Sequence, residues 1–167
     1  MNGGITNLEL HRLAQDEKID IPLHYICSSD ELTNIKLKKK MNIILNLQNS
    51  NQGGSHWVAF MVRGGQAFYC DSYGLSSDTN VTQYCIKNRL HLSCNSYIIQ
   101  AKNSKNCGLY SYALIKYIER ENIPNDIPRK YKNELLELCN NYINLFVPNR
   151  NTNDLILKKY LKNNLKS

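Results

Sequence analysis

The segment "NSKNCGLYSYALIKYIER" (103–120) sets a thiol, Cys107, against Gly108 where small polar residues give way to an apolar pattern. Leu109, Ala113, Leu114, Tyr117 and Ile118 recur there at helical spacing. A cysteine at a helix start sits among unpaired N–H groups and the positive end of the dipole, which favour the thiolate. Cys107 is therefore a candidate nucleophile, although a small buried hydrophobe would leave the same trace. Partners elsewhere decide between the two, because a thiol nucleophile needs a base and the base needs an orienter.

Four histidines are available. His11 falls on the first expected helix, His91 in a polar turn and His24 in a loop beside Pro22. His56 differs: it follows Gly53, Gly54 and Ser55 and opens the run "WVAFMV", so it stands at a strand mouth able to face a cleft. The next run, "AFYCDSYG", ends in Asp71 shortly before Gly74. Pairing His56 with Asp71 centres a hairpin between Arg63 and Gly64, within "VRGG", where the glycines suit a turn. The two residues are thus expected as cross-strand neighbours, with the carboxylate fixing the imidazole tautomer and supporting its charge. Gln100 ends "SYIIQ" seven residues before Cys107, and its amide could join the Cys107 N–H in stabilising an oxyanion. Cys70, next to Asp71, should point to the opposite face and read as core.

These residues need elements to hold them. Thr6 with Glu9 three residues on forms a capping box for a helix over 6–18. Residues 19–34 read as extended and loop-like, broken by Pro22. The run "IILNL" within 36–50 is a strand or a buried helix, which periodicity does not separate. The hairpin spans 53–74, a helix 76–90, a strand 95–101, the cysteine helix about 107–120, and two amphipathic helices 128–146 and 151–167. Helices bracketing a small sheet make an α+β class.

The chain's 167 residues suit one domain, 1–167, and 42% hydrophobic content is a globular composition. No run approaches the roughly 20 apolar residues of a membrane span. The opening "MNGGITNLELHRLAQ" lacks the pattern of a secretory signal, so a reducing compartment is expected. The cysteines at 27, 70, 85, 94, 107 and 139 carry no CxxC or zinc spacing, so no metal or other cofactor is expected. A net charge of +7 is compatible with nucleic acid as a partner, through Lys36, Lys38, Lys39 and Lys40 and through Lys158, Lys159, Lys162 and Lys166. Solvated lysines from an A/T-rich gene would look the same.

Taken in order, "GGSHWVAF", "YCDSYG", "IIQ" and "NSKNCGLYSYALIKYI" resemble the adenain-type cysteine proteases, the capsid-maturation enzymes of adenoviruses, virophages and Polinton-type elements. SUMO-specific proteases are more distant relatives of that design. The resemblance covers roughly residues 4–120; "GGITNLELHRLA" and "SSDELTN" share it, "LHYICSSDEL" departs from it, and the last two helices are not diagnostic. It implies a papain-like or adenain-like α+β fold with a small central mixed sheet flanked by helices. It also implies His56 as base, Asp71 as orienter, Gln100 in the oxyanion hole and Cys107 as nucleophile. Trp57 would pack the core or shield the site and narrow the cleft, and Asp30 would lie in a substrate-facing loop.

The implied substrates are capsid or core precursor polypeptides cut after glycine, by a monomer in the virion or a host-cell virus factory, with DNA as a possible activator. Gly3–Gly4 or Gly4–Ile5 is then a candidate self-processing bond. Two other functions compete: removal of ubiquitin-like modifiers by the same chemistry, and a basic nucleic-acid-binding virion protein without catalysis.

Overall fold

The capping box forms as the sequence asks. In the computed structural model, which describes residues 4–48, 56–120 and 134–163, Thr6 caps α1 (Asn7–Asp16), accepting from the Glu9 N–H while the Glu9 carboxylate takes the Thr6 N–H. A 3₁₀ turn at Leu23–Tyr25 leads into β1 (Ile26–Ser28), and a second covers Ser29–Asn34. The "IILNL" run is a strand, β2 (Lys40–Asn46), followed by β3 (Trp57–Arg63) and β4 (Gln66–Cys70). Then come α2 (Thr79–Lys87), β5 (His91–Cys94), α3 (Cys107–Arg120), α4 (Glu134–Ile143) and α5 (Asn153–Asn163). Residues 128–133 of the expected fourth helix lie outside the described residues.

The five strands run in the order β1-β2-β3-β4-β5, with β2, β3 and β4 antiparallel and each edge strand parallel to its neighbour. The sheet is mixed and central, as the resemblance implies. Both of its faces are covered, which is why β2, β3 and β4 read as nearly unbroken apolar runs. On one face Trp57, Ala59, Met61, Phe68 and Cys70 pack with α1, α3, α4 and α5. On the other, Val58, Phe60, Val62, Ala67 and Tyr69 pack with α2 and the 3₁₀ turns.

Two expectations are corrected. Arg63 pairs with Gln66 and Ala59 with Cys70, so the hairpin closes through Gly64 and Gly65, with Gly64 at φ +58°, and not between Arg63 and Gly64. Asp71 therefore aligns with Val58 and stands diagonal to His56. Secondly, 95–101 is no strand. The fifth strand is His91–Cys94, whose side chains are exposed or half-buried and whose apolar content is low, so it carries no periodic signal.

Helix α3 is pinned to the sheet at the end remote from Cys107. Arg63, 1% exposed, donates to the carbonyls of Met41 and Val62, to Asn42 Oδ1 and to Glu119 Oε1 at 2.9 Å. Lys40 Nζ reaches Glu119 Oε2 at 2.8 Å, and Asn42 Nδ2 donates to Oε1 at 2.9 Å. One turn earlier, the buried Lys116 pairs with Glu17 at the end of α1. Removing one partner of such a pair strands a buried charge. Glu119→Ala should accordingly cost about 3–5 kcal/mol in denaturant-measured stability. A loss below about 1 kcal/mol, the range of an exposed pair, would mean that Arg63 is satisfied without it.

Candidate active site

The amino end of β3, the carboxyl end of β4 and the first turn of α3 meet at one end of the sheet. His56 immediately precedes β3, and its carbonyl accepts from the Leu47 N–H at 3.0 Å, which extends the β2–β3 pairing and fixes its backbone. Asp71 immediately follows β4. Its Oδ2 lies 3.0 Å from His56 Nε2, and its Oδ1 accepts the Tyr73 N–H at 2.7 Å. The carboxylate is 0% exposed. That bond leaves His56 Nδ1, buried and with no other hydrogen-bond partner among the described residues, as the atom available to the Cys107 thiol.

Cys107 opens α3 and is buried. Its sulfur accepts the Trp57 N–H at 3.4 Å, and the Gly108 N–H also supports its charge. Ser111, one turn on, donates to the Cys107 carbonyl at 3.0 Å and lies 3.3 Å from the Trp57 carbonyl, tying the helix start to β3.

Electrostatics distinguishes this thiol from the rest. Burial opposes its ionisation, but the His56 bond, the Trp57 N–H, the His56 charge and the Gly108 N–H together hold its pKa below the usual thiol value. For His56, burial disfavours the cation, yet Asp71 and Cys107 outweigh it and push the pKa up to about 9. The two titrate as a pair, and the direction is toward thiolate and imidazolium. Elsewhere burial pushes Cys27 and Cys85 up to about 12, and Cys70 and Cys139 are also raised. Cys70 lies in the same buried cluster as Trp57 and α3, a core residue as read.

Gln100 is 1% exposed. Its Oε1 accepts Ser72 Oγ–H at 2.5 Å; its Nε2 donates to the Ser104 carbonyl at 2.9 Å and lies 3.3 Å from Ser104 Oγ. The amide is thus held in one orientation, with its donor side toward the loop that leads to Cys107.

Trp57 is 9% exposed, so it serves mainly as packing. Its indole N–H donates to the Ile5 carbonyl at 3.2 Å, and Ile5 packs against Gly108, where a Cβ would overlap the Ile5 methyl. Gly4 lies beside the Lys105 carbonyl, so the Gly4–Ile5 bond runs close to the start of α3; Gly3 lies outside the described residues, as do Gly53, Gly54 and Ser55. Asp30 sits on the 3₁₀ turn after β1. Ser28 pairs with Asn46 and Asn46 with Trp57, which places that turn at the same end of the sheet as His56, with β2 between.

Three supporting residues escaped the sequence reading. Asn95 forms a pseudo-ladder with Asp71, accepting its N–H at 2.9 Å and donating to its carbonyl at 2.7 Å. Tyr73, within "DSYG", lays its ring 5.1 Å from His56 and donates its hydroxyl to the Ser104 carbonyl at 3.2 Å. Asp154, on α5, binds the loop before Cys107. Asn95 and Asp154 are joined to the site only by tertiary contact, so no local pattern announces them. Among the described residues no cluster has the makings of a metal site, and no helix is long and apolar enough to cross a membrane.

Asp71→Asn tests the electrostatic chain. It removes the charge that favours the imidazolium, so the thiolate loses its partner. The inflection in the pH dependence of Cys107 alkylation should move to higher pH, by about one unit or more. An unchanged profile would show that Asp71 does not set the state of His56.

No family model matches the chain, and no curated protein matches it. Among solved structures it is similar to the pS273R protease of ASFV, with a TM-score of 0.55 and 17% identity over 95% of this chain and 67% of that one. At that identity the likeness is one of fold: the five-stranded mixed sheet with its helices matches the fold of that protease, without singling out the adenain type.

Proposed function

We propose that the chain is a viral-type cysteine endopeptidase of adenain-like kind. The observation that carries this reading is the His56–Asp71 bond of 3.0 Å beside a thiol held below its usual pKa, within a fold shared with a protease. The Cys107 thiolate attacks the scissile carbonyl, forming a C–S bond and a tetrahedral oxyanion. The Cys107 N–H and a Gln100 N–H stabilise that oxygen; the Gln100 hydrogen now spent on the long Ser104 Oγ contact is the one to be redirected. His56 gives its proton to the leaving amine as the C–N bond breaks. It then takes a proton from water, which attacks the thioester and frees Cys107.

The proposed substrates are capsid or core precursors with glycine before the cut. Glycine preference rests on the resemblance, because the covered indole of Trp57 supplies little wall. Asp30, at the same sheet end, is the proposed outer substrate contact. DNA is a proposed activator through the lysines named above, of which Lys40 is already committed to Glu119 and Lys166 lies outside the described residues. A virion or virus-factory setting follows from those substrates and belongs to the same proposal.

Cys107→Ala should abolish peptide cleavage with the fold intact. Gln100→Ala should lower kcat by about 10²–10³ while Cys107 alkylates at its usual rate. Peptides carrying glycine, alanine or valine before the cut, tested with ubiquitin-like fusions, separate the substrate classes. Normal turnover by Cys107→Ala defeats the mechanism, equal kcat/KM across the three peptides defeats the glycine preference, and DNA binding without any cleavage favours a noncatalytic virion protein.

A further inference from the structure

The six residues between Gln100 and Cys107 form neither strand nor helix. Within them, the Ser104 N–H reaches the Ala101 carbonyl at 3.0 Å, and the Asn106 N–H reaches Ser104 Oγ at 3.3 Å. Those two bonds do not tie the loop to the rest of the chain; Tyr73 and Gln100 reach the Ser104 carbonyl, and α5 binds its side chains. Asp154 Oδ1 accepts Ser104 Oγ–H and Tyr110 Oη–H, each at 2.9 Å, and Oδ2 accepts an Asn106 Nδ2–H at 2.9 Å. One carboxylate thereby holds the loop at two points and the first turn of α3 at a third. The residue before it, Asn153, is 0% exposed; it donates to the carbonyls of Ile99 and Val147 at 2.8 and 2.9 Å and accepts the Val147 N–H at 2.9 Å. Consecutive residues of α5 thus grip the chain on both sides of Gln100.

The geometry points to Asp154 as a positioning residue for the oxyanion side of the site, acting through Ser104 on Gln100 and through Asn106 and Tyr110 on the start of α3. The assignment rests on the protease reading given above. A serine hydroxyl has one proton and two lone pairs. Its proton is committed to Asp154, so Ser104 Oγ must present lone pairs to the Asn106 N–H and to Gln100 Nε2. On the other side of the amide, Ser72 donates to Gln100 Oε1. The orientation of Gln100 is therefore set by a donor at its oxygen and, at its nitrogen, by the Ser104 carbonyl at 2.9 Å, whose residue Asp154 holds in place through the hydroxyl. Tyr110, whose pKa burial and the Asp154 bond both raise, stays protonated as the donor this arrangement requires.

The test uses two probes of Cys107. A peptide ending in glycinal forms a hemithioacetal whose oxygen needs the oxyanion donors, whereas iodoacetamide alkylates the thiolate without them. In Asp154→Ala, alkylation should stay within about twofold, while glycinal affinity and kcat fall by about 10², the cost of one misplaced donor, with KM unchanged. Ser104→Ala, a smaller lesion in the same link, should give the same split and keeps the test decisive if Asp154→Ala folds poorly. The double variant should be little worse than Asp154→Ala alone.

Equal losses of alkylation and kcat would reduce Asp154 to general stability and overturn the assignment, as would additive losses in the double variant. Hydrogen exchange of amides 101–106 gives a readout independent of turnover, and exchange should quicken in Asp154→Ala. If wild-type protein cleaved no peptide while that loop still loosened, the protease reading would fall and the Asp154 link would stand. Unchanged exchange would remove the link itself.

Discussion

Asp71 carries a charge wholly cut off from water, and the site is organised around satisfying it. An isolated carboxylate in such surroundings costs several kcal/mol unless hydrogen bonds and an opposite charge compensate. Tyr73 contributes an N–H, Asn95 fixes the backbone on either side, and His56 brings the positive charge. Once the imidazole is held as a cation, its far nitrogen presents that charge to Cys107. The thiolate is then the second half of a compensated pair and not an isolated buried anion. The proposed nucleophile thus owes its ionisation to a carboxylate it does not touch.

Such a chain works only if three separate chain segments keep their spacing. β3 and β4 are neighbours in the sheet, so His56 and Asp71 hold position by ladder geometry. α3 has no such constraint; its apolar face packs on the sheet, and polar contacts along its length fix its position. Glu119 binds Arg63 and Lys40 at one end; Lys116 binds Glu17 one turn before; Ser111 and Asp154 hold the Cys107 end. The Ile5–Gly108 contact closes the remaining side, where α3 approaches too closely for a side chain.

The sequence carried the local parts of this arrangement and missed the distant ones. The α1 cap, the β3–β4 hairpin and the helix at Cys107 follow from neighbours in the chain, and they were legible. The hairpin centre was misplaced by one residue, which moves every cross-strand partner by two positions. Because strand side chains alternate with period two, such a shift keeps each partner on its face. His56 and Asp71 therefore still met, as diagonal neighbours. "SYIIQ" misled because Ile98 and Ile99 have branched side chains suited to a strand, yet the Ile99 and Gln100 N–H groups both go to the Ser72 carbonyl and Ile98 is exposed. The sheet position went to the polar His91–Cys94, whose place depends on pairing with β4 and not on its own pattern.

The central claim is that Cys107 is ionised as one half of a buried pair with His56. Thiolate ultraviolet absorbance of the wild-type protein, less that of Cys107→Ser, measures it directly across pH. The account predicts that the difference signal rises to its half-point clearly below the ordinary thiol pKa of 9.0. A half-point at or above that value, as burial alone would give, would contradict it.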